Sequence, residues 1–363
     1  MTMKITYSII TVILALVCAS CERTIDFVDN SGETEDDMCI SAVAFAGQPF
    51  SVFLNQAFPA GEAPSIRHLD PSSSAIVDDT DFSDYQRDDY QRQTAIGDAE
   101  VTAEVNGQQT FSLYYDSRNC TYRSSYTPKE GDRIRVTARM GNQELQAETT
   151  VPQVPHIEVL GSEELSDNPH RSVNGLEYNT DSLMRLTCRI SDAVGNNYYR
   201  LRVRSERSGV IKSSVNQGKI RVEVYYLMQD VYFSSDELFV DSRLTSNFGG
   251  WPAFFSDVFD DSLMHGGNYT FTIDSPKVPY NGEGLGLITS EAKESNPPLP
   301  PRVMIELQAI TPELYRYLKS VQLYRVTASD AYAEPVQIYS NVQNGWGIFG
   351  ALSYDRHFVE YGE

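Results

Sequence analysis

Cysteine is scarce in this chain, and its few copies are far apart. The sequence has 5 cysteines among 363 residues. Cys18 and Cys21 belong to the N-terminal region, which leaves Cys39, Cys120 and Cys188. These three can form at most one disulfide, which excludes a disulfide-stabilised scaffold and leaves open whether any bridge exists. They also lack the CxxC spacing that is typical of structural zinc sites.

Sequence motifs of common hydrolases and nucleotide-binding proteins are also missing. The five histidines are scattered, and no HExxH, GxSxG or P-loop pattern occurs. Residues 345–350 match GxGxxG, but only thirteen residues follow, too few for the helix and distant acidic residue of a dinucleotide site. We therefore expect a tight glycine loop there, and we predict no catalytic residue, no metal and no cofactor.

An aspartate-rich stretch at residues 78–89 could suggest calcium, but it lacks two parts of a calcium loop. There is no glycine at the sharp turn, and Tyr90 occupies the twelfth position of a loop that starts at Asp79, where a bidentate glutamate is needed. A solvated acidic loop is the better interpretation.

Basic residues are in short supply. The chain has 29 Lys and Arg against 50 Asp and Glu, a formal net charge of −21. A protein this acidic is a poor partner for nucleic acid or for an anionic lipid surface. The charge by itself is explained by solubility outside the cell.

Long apolar runs are absent except at the N-terminus. Lys4 precedes an apolar run from Ile5 to Val17, followed by Cys18-Ala19-Ser20 and then Cys21. The run is shorter than the roughly 20 residues that a membrane-spanning helix needs, and its layout is that of a signal peptide. We predict a lipoprotein signal peptide at 1–20, with Cys21 as the lipidated residue.

The segment after Cys21 contains little that could be buried. It is polar and carries Glu33, Glu35, Asp36 and Asp37. We predict an acidic flexible tether over residues 21–38.

Strand periodicity dominates the rest of the chain, and the fold is predicted to be mainly β. Val101, Ala103 and Val105 alternate with polar residues up to the hairpin turn Asn106-Gly107, after which Phe111, Leu113 and Tyr115 continue the alternation. Similar short strands follow as far as the proline-bounded segment 152–155. This pattern predicts an immunoglobulin-like β-sandwich over residues 39–155.

Residues 156–363 are predicted to form a second β-sandwich-like domain with one helix. Its strands include Tyr199, Leu201 and Val203, with arginines at the alternate positions 200, 202 and 204. Thr311 as N-cap followed by Pro312 begins a helix that we place at about 312–325, packed on the second sheet. The Gly- and Pro-rich segment 276–301 is predicted to be a long loop.

Aromatic residues are plentiful, with 22 Tyr and 16 Phe. Trp251 lies in a local aromatic cluster, and Trp346 and Phe349 lie within the glycine-rich 345–350 stretch. Such rings can stack on a ligand or a partner, although aromatics more often serve as core anchors. We name Trp251, Trp346 and Phe349 as candidate contacts.

Several sequence blocks together resemble one family. They are Cys21-Glu22, Asp98–Val101, Asn106-Gly107, Glu130–Asp132, Thr149–Pro152, Thr311–Leu318, Glu334–Asn341 and Gly345–Gly350. The chain is similar to the Bacteroidetes lipoproteins of domain-of-unknown-function family 4249. The resemblance implies an outer-membrane lipoprotein, often encoded near TonB-dependent transporters. It implies no catalytic residue, because the family defines none.

The resulting functional hypothesis is a lipid-anchored, non-enzymatic binding or accessory protein at the cell surface or the periplasmic face of the outer membrane. Its predicted partners are the membrane, through the lipid on Cys21, and a TonB-dependent transporter; no nucleic-acid partner is expected, and the ligand is left open. The first alternative is a structural adhesin or fimbrillin-like subunit that polymerises by adding a strand to a sheet edge. The second is an extracellular enzyme without a recognisable motif.

Overall fold

The computed structural model describes most of the chain, with several gaps. The described residues are 38–56, 94–165, 171–173, 176–178, 183–216, 219–230, 232, 234–241, 244, 255–264, 266–276, 302–327, 334 and 336–360. The predicted signal peptide, the lipidation site Cys21, the tether up to residue 37, the aspartate-rich stretch, Trp251 and nearly all of the predicted loop 276–301 lie outside them.

Strands make up most of the described chain, and one α-helix follows near the C-terminus, as predicted. The strands are β1 (Met38–Phe45), β2 (Ser51–Gln56), β3 (Glu100–Val105), β4 (Gln109–Ser112), β5 (Tyr114–Asp116), β6 (Thr121–Arg123), β7 (Arg133–Met140), β8 (Gln143–Thr150), β9 (His156–Leu165), β10 (Arg171–Val173), β11 (Leu176–Tyr178), β12 (Leu183–Ser191), β13 (Tyr198–Asn216), β14 (Lys219–Asp230), β15 (Val258–Asp260), β16 (Asn268–Pro276), β17 (Arg302–Ile310) and β18 (Trp346–Glu360). The helix α1 is Pro312–Thr327.

One nine-stranded sheet runs through both halves of the molecule. Its order is β14-β13-β17-β18-β1-β2-β6-β5, with β15 also paired to β13. The last strand, β18, makes the connection, because residues 346–352 pair in parallel with β1 and residues 352–360 pair antiparallel with β17. The chain thus closes its sheet with its own C-terminal segment.

Two smaller sheets cover the inner face of this shared sheet. The four-stranded sheet β4-β3-β7-β8 packs on its N-terminal part, where Ile40, Leu54, Val136 and Phe349 share one core. The three-stranded sheet β16-β12-β9 packs on the other part through a second core. The molecule is therefore two sandwiches side by side on one sheet. Strand β18 belongs to both, so the predicted boundary at residue 155 does not separate two sheets.

Residues 346–350 of the GxGxxG stretch are part of β18, so the prediction of a tight loop over the whole stretch was wrong. A Cβ at Gly347 would lie 1.9 Å from the carbonyl oxygen of Ile40 in β1, and one at Gly350 would lie 2.8 Å from Leu314 Cβ in α1. A Cβ at Gly345 would lie 2.7 Å from the carbonyl oxygen of Met38. These glycines let one strand contact a neighbouring strand and a helix at van der Waals distance.

The predicted hairpin after β3 is confirmed, but its second strand ends early. Asn106 and Gly107 both have positive φ, which suits a tight turn. The alternation at 111, 113 and 115 was predicted to continue one strand, whereas β4 ends at Ser112 and β5 pairs with β6 in the other sheet. Leu113 lies buried at the crossing. The alternation of apolar and polar residues therefore continues across two strands that belong to different sheets. Periodicity alone cannot show where one strand ends and the next begins.

Helix α1 begins where the sequence predicted and lies on the outer face of the shared sheet. The Thr311 Oγ1 accepts a hydrogen bond from the Leu314 N–H at 3.4 Å, and Glu313 lies in the first turn. Leu314 and Leu318 pack with Ile348 and Leu352 in a third core. Among the described residues, no helix is long and apolar enough to cross a membrane.

The three cysteines of the described chain, Cys39, Cys120 and Cys188, are not in disulfides. Cys39 is half-buried, whereas Cys120 and Cys188 are buried. Burial raises the pKa of the Cys188 thiol to about 12, so it remains protonated at neutral pH. Within the described residues, therefore, no disulfide stabilises the fold, and Cys188 is not a reactive thiolate.

Asp132 fixes the turn before β7, and its replacement tests the N-terminal sandwich. Its carboxylate accepts hydrogen bonds from the Tyr126 hydroxyl at 2.5 Å, the Lys129 N–H at 2.8 Å and the Asn106 side-chain amide at 2.9 Å. Burial alone would raise the pKa of Asp132, but these hydrogen bonds outweigh it and hold the pKa below its usual value.

Asp132→Asn is expected to lower the free energy of unfolding by about 1–3 kcal/mol at pH 7. Because the folded-state pKa is depressed, the stabilisation is complete above the unfolded pKa of about 3.9 and is lost as the pH falls through the folded value. Urea unfolding of the wild type and of Asp132→Asn at pH 7 and at pH 3 measures this stability difference. A stability difference that does not shrink at pH 3 contradicts it.

Candidate functional site

The outer face of the shared sheet carries a group of arginines beside α1. The strand register aligns Arg202 of β13, Glu306 of β17 and Arg356 of β18 in one row across the sheet. Neighbouring positions on the same face add further polar groups. We call this group the arginine face, and it consists of Arg202, Arg204, Arg302, Glu306, Gln308 and Arg356.

Glu306 is the central acceptor of the arginine face. It is only 3% exposed. Its carboxylate accepts a hydrogen bond at 2.7 Å from Arg356 Nε and one at 2.6 Å from Gln308 Nε2, and Arg356 also contacts it through its Nη2 atom. A buried carboxylate is stable only when it is paired in this way. The arrangement therefore holds the Arg356 guanidinium in a defined orientation.

Aromatic rings border the arginine face and support two of its guanidinium groups. The Arg302 guanidinium lies 4.0 Å from the centre of the Phe358 ring, and that of Arg356 lies 4.8 Å from the centre of the Tyr354 ring. Phe358 is 45% exposed, whereas Arg202 and Arg204 are buried. The face is thus accessible at the Phe358 end and becomes more buried towards β13.

This arrangement suits recognition of planar anions rather than catalysis. Arginine presents five N–H donors in a fixed plane that matches a carboxylate or phosphate, so it can keep contacts within the protein and still donate to a ligand. Arginines next to exposed aromatic rings are also the composition found at the centres of protein interfaces.

A serine and a lysine meet elsewhere on the same side of the sheet, in the geometry of a catalytic pair. Lys319 Nζ lies 2.8 Å from Ser256 Oγ and 2.9 Å from Asp241 Oδ2. Ser256 is 1% exposed, and its Oγ also contacts the Val258 carbonyl oxygen and Gln322 Oε1. The hydroxyl is enclosed in contacts, and the lysine forms an ion pair, so the network joins α1 to the sheet rather than presenting a nucleophile.

A neighbouring carboxylate belongs to the same structural network. Asp260 accepts a hydrogen bond from the Tyr315 hydroxyl of α1 at 3.3 Å. Burial alone would raise the pKa of Asp260, but hydrogen bonds from Ser262 and Tyr315, together with nearby Lys319, lower it. Within the part of the chain that the structure describes, no three His, Cys, Asp or Glu side chains lie close enough to hold a metal ion.

The candidate aromatic contacts occupy different environments. Trp346 is the first residue of β18 and is 49% exposed. Phe349 is fully buried, with its ring centre 6.0 Å from that of Phe50, so it contributes to the core of the N-terminal sandwich. Trp251 and Cys21 lie outside the described residues. The structure does not bring Trp346 and Phe349 together in one surface.

The arginine alternation in β13 is visible in the sequence, but the partners of these arginines are not. The positions 200, 202 and 204 were placed on the face opposite the apolar one, and the structure confirms that placement. Glu306 and Arg356 are about fifty residues apart in sequence and meet only through the pairing of β17 with β18. No local sequence signal marks that pairing.

A comparison with protein-family models found a match. The family described as Domain of unknown function (DUF4249) matches residues 26–357. The chain belongs to this family. Neither the curated proteins nor the solved structures gave a significant match.

The blocks that carry the DUF4249 resemblance have structural positions. Residues 311–318 form the start of α1, and 345–350 form the crossing of β18 with β1 and α1. Asn341, at the end of another block, bonds the backbone of Phe349 in β18. In this DUF4249 member, these blocks maintain the junction of the two sandwiches, and the arginine face lies beside that junction.

Proposed function

We propose that this protein is a lipid-anchored, non-enzymatic accessory protein of the bacterial outer membrane that captures a ligand or partner for a TonB-dependent transporter. The lipid is attached at Cys21, and the acidic segment after it is the tether. The capture surface is the outer face of the shared sheet at its Phe358 end.

The observation that carries this proposal is the pairing of arginines with aromatic rings on that face. Arg302 stacks on Phe358, Arg356 stacks on Tyr354, and Phe358 is largely exposed for a phenylalanine. The face is held by strands β13, β17 and β18 and is flanked by α1, so its side chains are positioned on rigid elements. The family match supports the proposal through the resemblance to outer-membrane lipoproteins.

Phe358→Ser is expected to reduce recovery of the transporter about tenfold or more when the lipidated protein is pulled down from its native outer membrane. An exposed aromatic at the centre of an interface contributes about 2 kcal/mol or more to binding. Mass spectrometry of the co-purified proteins measures the ratio of transporter to bait. The wild type should recover a TonB-dependent transporter in near-equal amount.

Leu160→Ser is the matched control for that experiment. Leu160 is 44% exposed, close to the 45% of Phe358, but it lies on β9 of the three-stranded sheet. Its replacement should leave transporter recovery unchanged. Equal losses with both variants, or recovery of the bait alone from wild-type membranes, would contradict the proposed capture surface.

A polymerising adhesin is the second candidate, because one strand edge suits it. β14 has 12 residues and ends the nine-stranded sheet, with no strand on its outer side among the described residues. The edge of β8, by contrast, is bridged by Gln343. Filaments or a ladder of oligomers of the purified protein would favour the adhesin over the accessory role.

A further inference from the structure

The arginine face carries a second feature that points to a ligand, namely the side-chain oxygen of Gln308. The amide is oriented by its Nε2 donor, which bonds Glu306 Oε1 at 2.6 Å. If the Gln308 amide were flipped, its oxygen would face Glu306 Oε1 with no hydrogen between them, so the orientation of the amide is fixed. Gln308 Oε1 is buried, and among the described residues no donor reaches it. A buried acceptor of this kind costs free energy unless a donor is supplied.

The neighbouring row of the sheet supplies the complementary cationic group. Arg356 lies in the row of Glu306, one row from Gln308, or about 7 Å along the strand direction. Its side chain is 31% exposed, and it is oriented by Glu306 and by the Tyr354 ring. Holding a guanidinium in place before a ligand arrives reduces the entropy lost on binding.

The net charge of the chain makes this local arrangement selective. The arginine face gathers Arg202, Arg204, Arg302 and Arg356 on a protein whose formal charge is −21. A diffuse negative surface repels most anions, so binding of an anion requires the directional hydrogen bonds of the arginine guanidinium groups. Recognition then depends on a planar or tetrahedral oxyanion rather than on charge alone.

From this geometry we infer that the arginine face binds a small ligand that carries an oxyanion, a carboxylate or a phosphate, together with a hydroxyl or amine donor. Arg356 holds the oxyanion, with Arg302 and Phe358 at the entrance, and Gln308 Oε1 accepts the hydrogen bond from the donor. The inference rests on the proposed capture role of this face and names the chemistry of what is captured.

Thermal unfolding of the purified lipidated protein in non-ionic detergent tests the inference without any transporter. The unfolding midpoint is compared in chloride, acetate, gluconate and phosphate at equal ionic strength and pH 7. Binding to the folded state should raise the midpoint above that in chloride by about 2–4 °C at saturating anion. A rise with acetate identifies a carboxylate ligand, and one with phosphate alone identifies a phosphate ligand. Gluconate, which adds hydroxyl donors, should exceed acetate.

Two matched variants separate binding from a structural role of the arginines. Arg356→Lys keeps the charge but loses the planar donor fork, so the anion-dependent rise should disappear. Arg185→Lys is the control, because Arg185 forms a two-point ion pair with Asp274 in the three-stranded sheet, and it should keep the full rise.

The inference is overturned if neither acetate nor phosphate raises the wild-type midpoint above that in chloride, or if Arg356→Lys keeps the rise. A purely structural arginine face would lower the midpoint of Arg356→Lys equally in every salt. Loss of transporter co-purification with a normal anion response would instead count against the proposed function alone, so the two failures are distinguishable.

Discussion

Gly347→Ala is expected to abolish stable folding. At φ +112° the backbone of Gly347 lies in a region that L-residues rarely adopt, and a Cβ there would lie 1.9 Å from the Ile40 carbonyl oxygen. That oxygen belongs to β1, which pairs with β18 along seven residues. Relieving the clash requires the two strands to separate, which opens the core of the N-terminal sandwich. The expected loss in the free energy of unfolding is more than about 4 kcal/mol.

Gly195→Ala provides a control with almost the same backbone conformation. Gly195 has φ +116°, but a Cβ there has no heavy atom within 4 Å. This variant experiences the backbone strain without the clash, and it should lose only about 1–3 kcal/mol. Urea unfolding monitored by circular dichroism compares the two. Similar losses in both variants would show that β18 does not pack against β1 as described.

Asn341→Ala is expected to lower the free energy of unfolding by about 2–4 kcal/mol, since each of two buried backbone groups loses a partner. The Asn341 Oδ1 accepts from the Phe349 N–H at 2.9 Å, and its Nδ2 donates to the Phe349 carbonyl oxygen at 2.8 Å. The side chain thus imitates a neighbouring strand beside β18. It also bonds the Glu148 carbonyl oxygen of β8 at 3.3 Å.

The control for this variant is Asn344→Gly, which removes another asparagine of the same segment. Asn344 has positive φ, which glycine accepts, and it makes one exposed hydrogen bond to the Glu144 carbonyl oxygen. Its loss should be below about 1 kcal/mol. If the denaturation midpoint of Asn341→Ala moves no further than that of Asn344→Gly, the junction does not depend on Asn341.

Local patterns were sufficient to predict several elements of this fold. The alternating apolar residues of β3, β7 and β12 define their buried faces, and Thr311-Pro312 defines the start of α1. These signals reside in neighbouring residues, where periodicity and capping chemistry operate. The mainly β class and the single C-terminal helix followed directly from them.

The arrangement of the sheets could not be predicted in the same way. Nothing near residues 346–352 indicates a parallel partner about three hundred positions earlier, and glycine patterns there suggested a loop. Gly347 and Gly350 in β18, and Gly345 just before it, mark close contacts, but the sequence does not show which groups they contact. The arginine face was missed for the same reason, because Glu306 and Arg356 become neighbours only after β17 and β18 pair.

The most direct test of the proposed role places a photo-crosslinking amino acid at position 358 of the lipidated protein in its native outer membrane. Position 160, of nearly equal exposure, serves as the control. We predict a crosslinked adduct that contains a TonB-dependent transporter from position 358 and none from position 160. Adducts with a second copy of this chain, or no adduct from position 358, would contradict it.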